Sequence, residues 1–157
     1  MVFKALADLQ VSVIVATAGR PVPPDIPANV YSADYLPGRE AAARASLVIC
    51  NGGSPTSHQA LAVGTPVLGL ASNIDQHMNM DAVCRTRGGA MLRAEESTVQ
   101  EIRNCVTKML AQPEYSEAAQ AIAKIFAKYD APSRFREILD GILPPLSLLT
   151  QEGINRL

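Results

Sequence analysis

A short apolar run, Leu47-Val48-Ile49-Cys50, ends in Asn51-Gly52-Gly53, and that junction limits what the chain can become. Two glycines after a buried-type run let the backbone turn sharply. Ser54 then suits an N-cap, and Pro55 suits the first helical position, where a missing N–H costs nothing. The helix this predicts over 55–63 carries Gln59, Ala60, Leu61 and Ala62 and stops at Gly64, a natural C′ residue. A second apolar run, Pro66–Leu70, follows at once. Strand, tight turn, helix and strand in so few residues leave room for a parallel crossover unit and for little else. The helix start faces outward from a strand end. Its free N–H groups and positive dipole end suit a phosphate.

The rest of the chain repeats the alternation. Residues 3–9 read as the end of a helix, 11–15 as a buried strand running into a turn at Gly19-Arg20-Pro21, and 29–32 as a short strand after a loop with Pro21, Pro23, Pro24 and Pro27. A brief alanine-rich helix is expected over 38–45, and a further helix from Asp75 to about Arg87, closed by Gly88-Gly89. A short strand at 90–92 comes next. Ser97 with Gln100 reads as a capping box for a helix over 98–111, with Glu95 and Glu96 as helix-dipole partners ahead of it. Pro113 opens another helix to Tyr129, and Ser133–Ile142 a last one. Short apolar strands alternating with helices imply an α/β fold, a parallel sheet covered on both faces. Ligands of such sheets bind beyond the carboxyl ends of the strands, where Gly52 and Asp75 would both lie.

Composition excludes several classes. A chain of 157 residues, 48% apolar, can bury a core, and its formal charge of −1 offers no basic footprint for nucleic acid. No stretch approaches the ~20 apolar residues of a membrane span, and the N-terminus lacks the apolar core of a signal peptide. Cys50, Cys84 and Cys105 lack metal-ligand spacing and read as buried thiols of a reducing compartment, so the expected location is cytoplasmic.

Residues 51–79 resemble the donor-binding motif of GT-B glycosyltransferases, notably the UDP-glycosyltransferase family and related bacterial glycan transferases. The motif runs Gly-Gly-x-x-Thr, then Ala-Leu-x-x-Gly-x-Pro, a strand, and Asp-Gln-x-x-Asn. Here Gly52, Gly53, Thr56, Ala60, Leu61, Gly64, Pro66, Asp75, Gln76 and Asn79 fall on matching positions. The resemblance implies a three-layer Rossmann-like domain, one half of a GT-B fold, spanning 1–142, with an apolar tail over 143–157. It implies that Asn51, Gly52, Gly53, Ser54 and Thr56 hold the diphosphate of a nucleotide-sugar and that Gln59 meets its ribose. Asp75 and Gln76 would meet the transferred sugar, and Tyr35 and Leu36 the nucleobase.

The reaction implied is inverting, metal-independent transfer of a hexose from a UDP- or TDP-sugar, with no cofactor. Two positions depart from the motif: Asn51 stands where a histidine is usual, and Gln59 where a glutamate is. Asn donates one neutral hydrogen bond, about half as strong as one from a charged donor. Gly38 likewise replaces a glutamine beside the base. The resemblance also implies that the domain's first strand and its glycine-rich turn are absent, and that acceptor and catalytic base belong to an N-terminal domain or partner subunit. No catalytic residue is assigned here, and the chain alone is expected to transfer nothing. A site decayed to a binding or docking module, or half of an epimerase of the same fold, are the alternatives. His58, His77 and Arg20 lie near the expected ligand edge, where solvated surface positions explain them better than a role in the site. Tyr35 suits either base stacking or core packing. The tail from Ile142 to Leu149 is apolar enough to favour self-association.

Overall fold

The computed structural model describes residues 1–143. They fall into two compact units, one ending at Lys124 and one beginning at Ile125. The first unit runs α1 (Val2–Leu6), β1 (Val13–Ala16), β2 (Val30–Ala33), α2 (Gly38–Ala43), β3 (Val48–Cys50), α3 (Ser54–Ala62), β4 (Val67–Ala71), α4 (Ile74–Arg85), β5 (Gly89–Arg93), α5 (Val99–Ala111) and most of α6 (Pro113–Phe126). The second holds α7 (Ala131–Ile142), whose Asp130 cap accepts from Ser133 N–H. Phe135, Ile138 and Ile142 are exposed on α7. The apolar tail expected over 143–157 lies, beyond Leu143, outside the described residues.

Every strand pair is parallel. They form two ladders where the sequence suggests one sheet: β1 with β2, and β3-β4-β5 with β4 central. Side-chain alternation sorts the second ladder into two faces. Val48, Cys50, Val67 and Met91 look towards α2, α3, α4 and α6, where Ala42, Ala60, Leu61, Met80, Val83 and Ala119 close one core. Leu47, Ile49, Leu68, Ala90 and Leu92 look the other way, onto α1 and α5 through Ala5, Leu6, Ile102, Val106 and Met109. The result is three layers. Leu68 and Met80 are wholly buried, each contributing about 1.5–3 kcal/mol by leaving water.

α1 is too short to persist alone, and no side chain caps its start. Packing holds it, and so does Arg103 of α5, whose guanidinium donates to Ala5 O and Lys4 O at its C-terminal end. Asn29 ties the following loop down, donating from Nδ2 to Leu6 O at 2.9 Å and Val11 O at 3.0 Å.

Several local expectations are corrected. Ser54 is not the N-cap of α3; Gly53 is, and Ser54 opens the helix. The capping box of α5 is Thr98 with Glu101, one residue on from the Ser97/Gln100 pair. Both registers supply a hydroxyl three residues ahead of an N3 acceptor, and the Thr98 oxygen is the one that accepts from an N3 N–H. The Ser97 hydroxyl donates to Arg93 O at 2.6 Å inside the preceding turn. Glu96 also pairs with Arg93 across exposed surface. Asn73 caps α4, which ends at Arg85 because Thr86 folds its hydroxyl back onto Val83 O. The strand expected at 11–15 starts two residues later. The three cysteines are half-buried thiols and not fully buried ones.

Candidate functional site

Four segments meet along the C-terminal rim of the second ladder. The first is the turn after β3. Gly52 has φ +82°, open only to glycine at little cost, and a Cβ there would stand 2.6 Å from Met80 Cγ. Gly53, at φ −68°, is ordinary extended backbone. Gly52 alone is irreplaceable in the turn.

The turn already uses two of its donors. Gly52 N–H reaches Cys50 Sγ at 3.3 Å, and Gly53 N–H reaches Asn51 Oδ1 at 3.0 Å. Burial pushes the Cys50 thiol above its ordinary range, with the Gly52 N–H offsetting part of the shift, so it sits there as a neutral acceptor. Pro55 has no N–H, and Ser57 N–H begins the helix by bonding Gly53 O. The donors left for an anion at the start of α3 are the Ser54 and Thr56 N–H groups and the Ser54 and Thr56 hydroxyls. Asn51 is exposed with its oxygen engaged, which leaves its Nδ2 as the only amide atom to meet a ligand.

Asn79 of α4 fixes this turn from behind. Its Nδ2 donates to Gly52 O at 2.7 Å and to Ser57 Oγ at 2.9 Å. Ser57, wholly buried, donates in turn to Gly53 O at 3.0 Å. Sequence reasoning placed Asn79 in the motif without giving it work, and missed Ser57. The signal for Ser57 was a hydroxyl four residues after the turn glycine, on the inward side of the helix.

The start of α4 is the second segment. Gln76 is 8% exposed; its Oε1 accepts from Ser72 N–H at 2.8 Å and from the Ser72 hydroxyl, closing the β4–α4 turn. Its N–H bonds the Asn73 cap. Gln76 therefore keeps one unengaged pole, its Nε2. Asp75 beside it is exposed, and among the described residues its carboxylate makes no hydrogen bond or ion pair. Gly52 lies against the Gln76 carbonyl, so the glycine turn and the Asp-Gln pair adjoin.

Gln59 on α3 and the Tyr35-Leu36 loop complete the rim. A Cβ on Gly38 would stand 2.5 Å from Gln59 Oε1, so the glutamine amide lies over the first residue of α2, just past that loop. Tyr35 is 81% exposed, which removes the core-packing alternative. Leu36 is half-buried. Arg20 is an exposed turn residue, His58 is exposed and His77 half-buried. Among the described residues no three His, Cys, Asp or Glu side chains gather as a metal would need. No helix of the described residues is long and apolar enough to cross a membrane. A depression of about 400 Å³ bounded by Ala43, Gly64, Thr65, Met109 and Gln120 shares no residue with this rim.

An α/β domain with parallel strands, a glycine turn opening onto a helix start, and polar side chains from the next helix has the architecture of a Rossmann-like domain. Comparison with known proteins narrows the class. Residues 1–140 match the family model for the erythromycin biosynthesis protein CIII-like C-terminal domain, and the chain belongs to that family, the C-terminal half of GT-B glycosyltransferases. A PGL/p-HBAD biosynthesis glycosyltransferase of Mycobacterium tuberculosis is 51% identical over 126 residues, 80% of this chain and 29% of the relative. A PGL/p-HBAD biosynthesis rhamnosyltransferase of Mycobacterium bovis is 48% identical over 128 residues, 82% of this chain and 28% of the relative. The chain thus spans under a third of the curated relatives it matches. Among solved structures, spinosyn forosaminyltransferase SpnP superposes with a TM-score of 0.83 at 18% identity, covering 90% of this chain and 38% of that one. The spinosyn rhamnosyltransferase SpnG complexed with thymidine diphosphate gives 0.79 at 23% identity, over 88% and 39%. These likenesses bear out the Rossmann-like, GT-B reading of the fold.

Proposed function

We propose that the chain is the nucleotide-sugar donor half of an inverting, metal-independent glycosyltransferase. The observation that carries this reading is the adjacency of the α3 start to the Asp75-Gln76 pair. The Ser54 and Thr56 N–H groups, the Thr56 hydroxyl and the Asn51 Nδ2 would receive the diphosphate. Asp75 and the Gln76 Nε2 would hold hydroxyls of the sugar, Gln59 the ribose, and the exposed Tyr35 with Leu36 the base. In the reaction an acceptor oxygen attacks the anomeric carbon as the bond to the diphosphate breaks. The acceptor proton goes to a base on the acceptor side, which an N-terminal domain or partner would supply. The chain by itself then transfers nothing.

Charge developing on the departing diphosphate meets fixed N–H dipoles at a helix N-terminus, and this stabilisation needs no cation. A thymidine or uridine diphosphate donor is favoured because the related SpnG was solved with thymidine diphosphate. The mycobacterial rhamnosyltransferase suggests rhamnose as the hexose to try first. Calorimetric titration with UDP, TDP and GDP, with and without magnesium, tests the reading. Binding with a base preference and no magnesium dependence is expected; no binding at millimolar ligand overturns it.

A second reading, a degenerate site kept for binding or docking, is favoured by one contact. Asn51 Oδ1 occupies the Gly53 N–H that a phosphate would use. On that reading the Asn51→His, Gln59→Glu double variant gains affinity sharply where the native chain has almost none.

A further inference from the structure

The turn between β4 and α4 carries more hydrogen bonding than the helix start requires. Asn73 already caps α4, its Oδ1 accepting from Gln76 N–H at 3.0 Å. Ser72, one residue earlier, sends two further donors to a single atom. Its N–H reaches Gln76 Oε1 at 2.8 Å, and its hydroxyl reaches the same oxygen at 3.1 Å. A carboxamide oxygen has two lone pairs, so both are filled. Which way an amide points is decided by its hydrogen-bond network, and here the network leaves one answer. Turning the amide over would set Nε2 against the Ser72 N–H, a donor against a donor. Any residue at 72 other than proline supplies that N–H, but only serine or threonine adds a hydroxyl.

The other pole of the amide is open. Gln76 is 8% exposed, yet its unengaged Nε2 reaches solvent, because Asn29 Oδ1 is the only fully buried side-chain polar atom without a partner among the described residues. Gly52 lies against the Gln76 carbonyl, so this residue borders the glycine turn. Asp75, next to it, is exposed and as a carboxylate only accepts. A fixed acceptor therefore stands beside a fixed donor. Hydroxyl groups, which both give and take a hydrogen bond, match such a pair.

We propose that Ser72 is a positioning residue for the transferred sugar: it holds the Gln76 amide nitrogen outward, so that Asp75 and Gln76 meet sugar hydroxyls as acceptor and donor. The inference rests on the donor-half reading and adds to it a residue outside the motif. Ser72 acts through Gln76 and not on the sugar. Without the hydroxyl the amide keeps a single anchor, the Ser72 N–H, and has more freedom to lose when a ligand binds.

Two measurements test this. Calorimetric titration with TDP and with TDP-rhamnose reads the affinity that the sugar adds to the nucleotide. Ser72→Ala is expected to weaken TDP-rhamnose about threefold to tenfold and to leave TDP unchanged, and Ser72→Thr to restore the native value. Equal weakening of both ligands means a merely structural role and overturns the proposal. So does unchanged TDP-rhamnose affinity in Ser72→Ala, a failed rescue by threonine, or a native chain that binds TDP-rhamnose no better than TDP. The second measurement needs no ligand. Gln76→Glu puts a carboxylate oxygen where the amide oxygen was, and NMR follows its titration with and without Ser72→Ala. Asp75, His77 and the α4 dipole act on both versions alike. The hydroxyl is expected to hold the introduced carboxyl about one pKa unit lower than its absence does. Equal midpoints mean that no hydrogen bond comes from Ser72, which overturns the lock. A chain that binds neither TDP nor TDP-rhamnose refutes the donor-half reading, and the sugar role with it, while the titration still decides the lock.

Discussion

Asn79→Ala is the substitution whose outcome follows most directly from the geometry. The change removes two hydrogen bonds, to Gly52 O at 2.7 Å and to Ser57 Oγ at 2.9 Å. Each contributes about 1 kcal/mol net. Ser57 keeps its own bond to Gly53 O and loses only a donor from its oxygen. The Gly52 carbonyl loses its side-chain donor, and a stranded carbonyl costs about 1–3 kcal/mol. Together these give a loss of about 2–4 kcal/mol. With a urea slope of about 1–3 kcal/mol/M, the unfolding midpoint falls by roughly 1 M or more. Asn104→Ala is the matched control. It also removes an asparagine hydrogen bond, but an exposed one, from Gln100, and should cost no more than ~0.5 kcal/mol. Urea unfolding of both variants decides the matter. If Asn79→Ala moves the midpoint no further than Asn104→Ala, the turn is not held by α4 and the account of the site's rigidity is wrong.

Other outcomes follow from neighbouring features. Gly52→Ala should abolish diphosphate binding in the titration, from its φ of +82° and the clash with Met80, while Gly53→Ala retains it, its Cβ meeting nothing closer than Asn51 Oδ1 at 3.3 Å. Equal loss from both would refute the distinction. Asn29→Asp should destabilise by about 2–4 kcal/mol, because a carboxylate placed against Leu6 O and Val11 O has no hydrogen to donate; thermal melts at pH 7 read it. The Glu101 carboxylate sits below its ordinary range because it accepts from the Thr98 backbone and hydroxyl. A lowered folded value means its contribution is complete above the ordinary glutamate value and is lost as pH falls through the lowered one. The native chain should therefore lose more melting temperature than Glu101→Gln between about pH 5 and pH 3. An identical pH profile for the two would contradict this.

The sequence was most legible where local chemistry and tertiary packing agree. Gly64 takes φ +83° at the end of α3, as a C′ glycine should. The apolar run 66–70 became the central, most buried strand. Capping was read less well, because Ser97 and Thr98 both satisfy the pattern and only the fold decides which hydroxyl the preceding turn consumes. The two turn glycines looked equivalent in sequence. Met80, twenty-eight residues on, is what separates them. The split of the sheet into two ladders was not legible from strand counts, since each strand is apolar whichever neighbour it pairs with. Which residues form the rim was readable from the motif. How many of their polar atoms are already occupied was not, because that depends on rotamers such as those of Asn51 and Gln76.

The Asn51 contact bears on the departure of ligand as much as on its arrival. A turn that satisfies its own Gly53 N–H has an empty state with little unmet hydrogen bonding. An incoming diphosphate must displace the amide oxygen to gain that donor, and a departing one is replaced at once by a group already tethered in place. On the donor-half reading this trades affinity for turnover: the spent nucleotide is weakly retained, and the vacated turn keeps its shape between cycles.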